Sequence, residues 1–289
     1  MKKLSISNRF VRDIASDWNE LSFGELLQFT TLIAQKLPLI ETKTKLFIIL
    51  SGLTKLSKPS LILDGENWHW FSINKQNILI SDTQINWAAN QVLGFFKSDD
   101  GENYYPYSRL TRNIFPVLHA NKLKLTGPSD GLSNITYKEF MHADDLHYKY
   151  SKSGNERDLD KLIAVLFRPF DKEMKVSSPK YKGDLRIQFN DFQIDYYADF
   201  TACLNPEIKQ AILFFYEGCK KLIAQMFPYV FVKGNSTGGE IDVTMNMISI
   251  VDAITNHNPR ETEINLDESA YMVLSSINNL MAKRAKQDE

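Results

Sequence analysis

Nine residues, Phe140-Met-His-Ala-Asp-Asp-Leu-His-Tyr148, bring two imidazoles and two carboxylates close together in the chain. Such side chains ligate divalent metals or exchange protons near neutral pH, so the stretch is a metal site, an acid/base pair or part of a buried helix. Spacing separates these readings. The preceding Ile135-Thr-Tyr-Lys-Glu-Phe140 is a Ser/Thr-x-x-Glu capping box. In such a box the Thr136 hydroxyl accepts from the amide three residues on, and the Glu139 carboxylate reaches back to the N-cap amide. A helix starting there turns about 100° per residue. Tyr137, Phe140, Met141, Ala143, Leu146, Tyr148 and Tyr150 then fill one broad arc, and Lys138, His142, Asp145 and Lys149 the opposite one.

The four tempting residues therefore split. His142 and Asp145 become i, i+3 neighbours facing water, while Asp144 and His147 become i, i+3 neighbours inside the apolar arc. A helical zinc pair wants histidines four apart, and five apart rotates the second ring away. The expectation is a structural buried polar pair, Asp144 with His147, whose carboxylate finds a partner in His147, Arg168 or a loop amide. A metal-dependent hydrolase using Asp144 and His147 is the enzymatic alternative, and it needs a third ligand the sequence does not offer. The reading is a non-enzyme with no catalytic residue, metal or cofactor.

Other motifs carry less chemistry. Gly234-Asn-Ser-Thr-Gly-Gly239 lacks the Gly-Lys-Ser/Thr ending of a phosphate loop and reads as a connector. His69, His119 and His257 stand alone in the sequence and read as surface or core histidines. Trp68, Trp70, Phe71, Trp87, Phe95 and Phe96 read as core. Tyr104-Tyr-Pro-Tyr107, beside an acidic turn, is the better candidate for an exposed contact, through Tyr104, Tyr105 and Tyr107.

The elements that position these residues are legible from their ends. Leu21-Ser-Phe-Gly-Glu-Leu26 is a second capping box, with Ser22 as N-cap and Glu25 as its partner. Asn205-Pro-Glu207 opens a helix running to about Phe227, and Asn265-Leu-Asp-Glu268 caps a C-terminal helix. Further helices are expected over 43–53, 82–96, 158–167 and 241–256, with 158–167 at the centre of the core. Trp68–Ile73 and Asn77–Ser81 read as a hairpin, and Lys122–Leu125 and Leu185–Phe189 alternate as strands do. The fold class is mainly α (α+β), a helical core with a small β element in the N-terminal half. Three parts are expected: 1–125 mixed, 126–232 helical, and a helical pair over 240–289 after the Gly/Ser linker. That last pair presents Met245, Met247 and Ile248 on one helix and Tyr271, Leu274, Ile277 and Leu280 on the next, as a seam for its own chain or for a partner.

Composition bounds the partners. Across 289 residues the hydrophobic share is 43%, the charged share 24% and the formal net charge −1. Scattered lysines and arginines give no basic patch of the kind a nucleic acid requires. No apolar run approaches the ~20 residues that cross a bilayer. The N-terminus has no signal-peptide core. Two cysteines, Cys203 and Cys219, are too few for a disulfide framework and read as reduced.

Four segments together resemble a family of proteins encoded in tailed-phage and prophage structural gene clusters. They are Asp17-Trp-Asn-Glu-Leu-Ser-Phe-Gly-Glu-Leu26, Asp130-Gly-Leu-Ser-Asn-Ile-Thr-Tyr-Lys-Glu-Phe140 with Asp144 and Tyr150 beyond it, Leu159-Asp-Lys-Leu-Ile-Ala-Val-Leu-Phe-Arg-Pro169, and Phe214-Phe-Tyr-Glu-Gly-Cys-Lys-Lys221 followed by Pro228 and Phe231. The likeness spans about 15–285, and its motifs concern packing and capping. It implies a tail-assembly role, as a chaperone for the tape-measure protein or as a minor component of the mature virion, in the host cytoplasm or the particle. It carries over no catalytic residue.

Overall fold

The computed structural model describes residues 1–7, 10–179, 181, 183–231, 250–252, 255 and 257–287. The chain divides into two compact units, Met1–Leu110 and Thr111–Glu289.

The first unit opens with an antiparallel pair, β1 (Lys2–Ser7) and β2 (Phe10–Ile14). Helices α1 (Phe23–Ala34) and α2 (Leu39–Ser51) follow and pack on each other. A small sheet comes next, from β3 (Thr54–Lys55), β4 (Leu61–Leu63), β5 (Glu66–Ile73) and β6 (Gln76–Ser81). β5 is its centre: β6 pairs along one side, and β3 and β4 share the other. Both tight turns use a left-handed backbone, which Asp64, Gly65 and Asn74 tolerate and Lys75 adopts at some cost. Asp64 and Gly65 have φ of 53° and 78°, and Asn74 and Lys75 have 48° and 64°. Helix α3 (Asp82–Ala89) and a 3-10 turn lead to the hairpin of β7 (Phe96–Ser98) and β8 (Tyr104–Pro106). The unit closes on an aromatic centre in which Trp18 lies 5.1 Å from Phe29 and 5.5 Å from Phe95 between ring centroids.

The second unit begins with β9 (Val117–Ala120) and β10 (Leu123–Thr126), continues through α4 (Tyr137–Ser153) and α5 (Glu156–Leu166), and adds β11 (Arg168–Pro169) to the edge of β10. Helices α6 (Ile194–Thr201), α7 (Pro206–Met226), α8 (Pro259–Leu266) and α9 (Ala270–Ala285) complete it. α5 is the hub, packed on α4, α6 and α7, with Leu162, Ile163, Val165 and Leu166 wholly buried. The fold is thus mixed α+β around helices, with strands in both units.

Several expected boundaries move. Residue 125 lies inside β10, which pairs with β9 and β11 of the same unit, so the first unit ends earlier, at Leu110. The strand expected over Leu185–Phe189 is a loop touching Phe170 by a single bridge at Arg186, whose side chain is drawn inward. The helix expected over 82–96 ends at Ala89 before its 3-10 turn. β4, α6 and α8 were not anticipated.

Candidate functional site

The structure places the Phe140–Tyr148 stretch in α4 as the wheel requires, with Asp144 buried and Asp145 half-buried. Its partners differ from those expected. Asp144 pairs with Lys220 and accepts from the Tyr216 hydroxyl at 3.3 Å, both from α7. His147 points Nε2 toward Glu217 at 3.7 Å, too far for a hydrogen bond, and rests its ring 5.3 Å from that of Tyr216. Three α7 residues, Tyr216, Glu217 and Lys220, thus answer the two α4 residues. Among the described residues no hydrogen bond or ion pair joins Asp144 to His147, so the expected pair is really two contacts meeting at Tyr216. Burial raises the Tyr216 hydroxyl well above its usual pKa, and the Asp144 charge adds to the effect.

A metal at Asp144 would have to displace the Lys220 ammonium and the Tyr216 phenol that its carboxylate already faces. Among the described residues no group of three or more metal-type side chains converges. On the other face, Asp145 pairs with Lys149 at 2.6 Å, and His142 rests against the Phe189 ring rather than in open water.

Arg168, one of the partners expected for Asp144, meets a different carboxylate. Glu139 Oε1 accepts from Arg168 Nη2 at 2.8 Å, and Oε2 accepts from Arg186 Nη2 at 3.1 Å. Asp184 accepts from both arginines, at 3.4 Å and 2.8 Å. Carbonyls take the remaining donors: Val165 O and Ile187 O for Arg168, Leu166 O for Arg186. Two cations and two anions are so neutralised, and the lattice staples the start of α4 to the end of α5. Burial works against the Arg186 charge, but Glu139 and Asp184 outweigh it and hold its pKa up; burial prevails at Arg168 and draws it down.

The caps fare unevenly. Ser22 and Glu25 form both halves of their box. Thr136 accepts from Glu139 N at 3.2 Å, but the Glu139 carboxylate belongs to the arginines, so only half of that box exists. Asn205 sits at the N-cap of α7 without a side-chain bond. Asn265 is no cap: it lies inside α8 and donates to Glu261 O, while Ser269 precedes α9.

Of the residues expected to meet a partner, Leu274 and Ile277 are wholly buried in their own unit. α9 is tied there by Tyr137 N to Glu268 O at 2.9 Å and by the Tyr271 hydroxyl to Gly131 O at 2.6 Å. Tyr271 and Leu280 are half-buried with it. Met245, Met247 and Ile248 lie outside the described residues. Tyr104 and Tyr105 stay exposed on the β7–β8 hairpin, where the Tyr105 hydroxyl donates to Asp99, and Tyr107 is half-buried. Cys203 and Cys219 are both free thiols.

Two features were missed in the sequence. Phe192 is 92% exposed and Tyr196 59%, and the Tyr196 ring lies 5.3 Å from Phe200, so aromatics at i, i+4 and i+8 run along α6 and the turn before it. The second is in the first unit. The Asp64-Gly65 turn sets Leu61 opposite Trp68, which brings Ser60 across from His69. Ser60 Oγ then lies 3.0 Å from His69 Nδ1, and His69 Nε2 2.8 Å from Asp82 Oδ1. The two-residue Asp-Gly loop was the available signal.

Comparison with protein-family models, with curated proteins and with solved structures finds no match for this chain. Among the described residues no helix is long and apolar enough to cross a membrane.

Proposed function

We propose that this chain is an assembly factor of a tailed-phage or prophage tail, acting by binding a protein partner such as a tape-measure segment. The observation that carries the reading is the aromatic row on the second unit. A phenylalanine 92% exposed beside a tyrosine 59% exposed leaves apolar area in water that a partner would cover. Aromatic side chains of this kind dominate binding energetics where they enter a partner's pocket. The seam of α9 no longer serves that role, because Leu274 and Ile277 are committed to the unit's own core. The acidic residues between the aromatics have cations of the same unit beside them: Asp195 lies 2.8 Å from Lys161, and Asp199 2.8 Å from Arg157. Their carboxylates stay 69% and 71% exposed, so the row offers a partner helix apolar rings with an acidic edge.

The test is co-purification of the full chain with a phage tape-measure protein, followed by titration. A complex that is lost in Phe192→Ser/Tyr196→Ser, with an unchanged melting temperature, supports the reading. Failure to form any complex, or a complex indifferent to the double change, removes it. Mass spectrometry of purified particles then separates a departing chaperone from a retained virion component.

A further inference from the structure

The chain of contacts through Ser60, His69 and Asp82 has a direction fixed by its chemistry. An ionised carboxylate only accepts, so the proton between ring and Asp82 sits on His69 Nε2. In the neutral imidazole Nδ1 then carries the lone pair, and the Ser60 hydroxyl donates to it. Asn67 Nδ2 donates to Asp82 Oδ2 at 3.3 Å and holds the carboxylate on its far side. Ser60 is exposed, while His69 lies half-buried on β5, so the reactive end of the chain is the one that faces solvent.

We propose that Ser60 is the nucleophile of an acyl-transfer site for uncharged carboxylic esters, with His69 Nδ1 as its base. Asp82 is a positioning residue that fixes the ring tautomer and faces the imidazolium formed in the reaction. The Ser60 oxygen attacks the ester carbonyl carbon, and its proton passes to Nδ1. The alkoxide leaves as the carbonyl re-forms and takes that proton. Water then adds to the acyl-serine with Nδ1 again accepting the proton; the free acid departs and Ser60 recovers its hydrogen. Ile62, 77% exposed and two residues along from Ser60, offers an apolar seat for a short acyl chain. This site belongs to the first unit, and the aromatic row to the second.

The experiment uses the full chain with a fluorophosphonate probe and p-nitrophenyl butyrate. One phosphonate per chain on Ser60, found by peptide mass spectrometry, is expected, with no label in Ser60→Ala. His69→Gln should slow both labelling and ester hydrolysis by about 100-fold or more, the usual contribution of a general base. Nitrogen-15 spectra of the unmodified protein should show His69 protonated at Nε2, and Asp82→Asn should abolish that preference. No label, a label on another residue, unchanged rates in His69→Gln, or an Nδ1-protonated ring would each overturn the proposal. The spectra keep it testable even if His69→Gln does not fold.

Discussion

Arg168 donates through Nη2 to Glu139 Oε1 at 2.8 Å, with side chains only 3% and 1% exposed. Breaking such a pair from one side leaves a buried cation without its anion, which costs about 3–5 kcal/mol. Glu139→Ala leaves two buried guanidinium groups sharing the one Asp184 carboxylate and should fall within that range. Glu139→Gln keeps the shape but loses the charge, and should fall between Ala and wild type. Urea unfolding of the three proteins checks the order; an Ala variant within 1 kcal/mol of wild type, on the order of an exposed pair, would show that the lattice contributes little.

Asp144 and Asp145 are neighbours in sequence with opposite surroundings. Removing the Asp144 carboxylate leaves Lys220 and the buried Tyr216 hydroxyl without their acceptor. Lys220 retains some access to water, so Asp144→Ala should cost about 2–3 kcal/mol rather than the full penalty of a closed pair. Asp145 holds only the exposed Lys149, and its loss should cost about 0.5 kcal/mol or less. Equal melting temperatures for the two variants would contradict the assignment.

His142 provides a pH dependence. Burial against Phe189 disfavours the imidazolium and lowers its pKa below the usual 6.5; Asp191 and Asp145 pull the other way, and Lys138 and Lys149 add to the lowering. The unfolded chain therefore binds more protons than the native state between the folded pKa and 6.5, so stability is full above 6.5 and declines as pH falls through that window. His142→Gln should flatten the melting temperature between pH 7 and 5 relative to wild type. An unchanged slope would place the proton uptake elsewhere.

Local signals carried well where a single helix decides the outcome. The α4 wheel put Asp144 inside because the apolar spacing of Tyr137, Phe140 and Ala143 leaves no other face for the core. Partners were another matter, because they come from residues far along the chain. Lys220 is 76 positions from Asp144, and Arg186 is 47 from Glu139. No periodicity within one element reports such a meeting. The Ser60–His69 contact was closer to legible, since an Asp-Gly loop between Leu63 and Glu66 dictates the cross-strand register. What hid it was the shortness of β4, three residues that alternate too briefly to read as a strand.

The two capping claims can be separated by measurement. Ser22 Oγ accepts from Glu25 N at 3.3 Å, while the Glu25 carboxylate takes the Ser22 amide at 2.8 Å. Ser22→Ala should cost about 1 kcal/mol. Asn265→Ala, an interior position of α8 whose side chain bonds the previous turn, should cost about 0.5 kcal/mol or less. A larger loss at Asn265 than at Ser22 would reverse the assignment of which residue starts a helix.

Two glycines should respond to alanine in opposite ways. A Cβ on Gly127 would stand 2.6 Å from both Asn113 Nδ2 and the Phe167 ring, and 2.9 Å from Phe115 O. Phe167 is wholly buried and Phe115 offers backbone, so neither yields cheaply, and Gly127→Ala should destabilise by about 1–3 kcal/mol. Gly24, in the first turn of α1, has nothing within 4 Å of its added methyl. There the substitution only restricts the unfolded chain, and Gly24→Ala should stabilise by about 0.5 kcal/mol. Thermal melts of both variants test the close approach at Gly127 directly, because a stabilised Gly127→Ala would mean that the turn before the 3-10 residues Asp130–Leu132 is free to open.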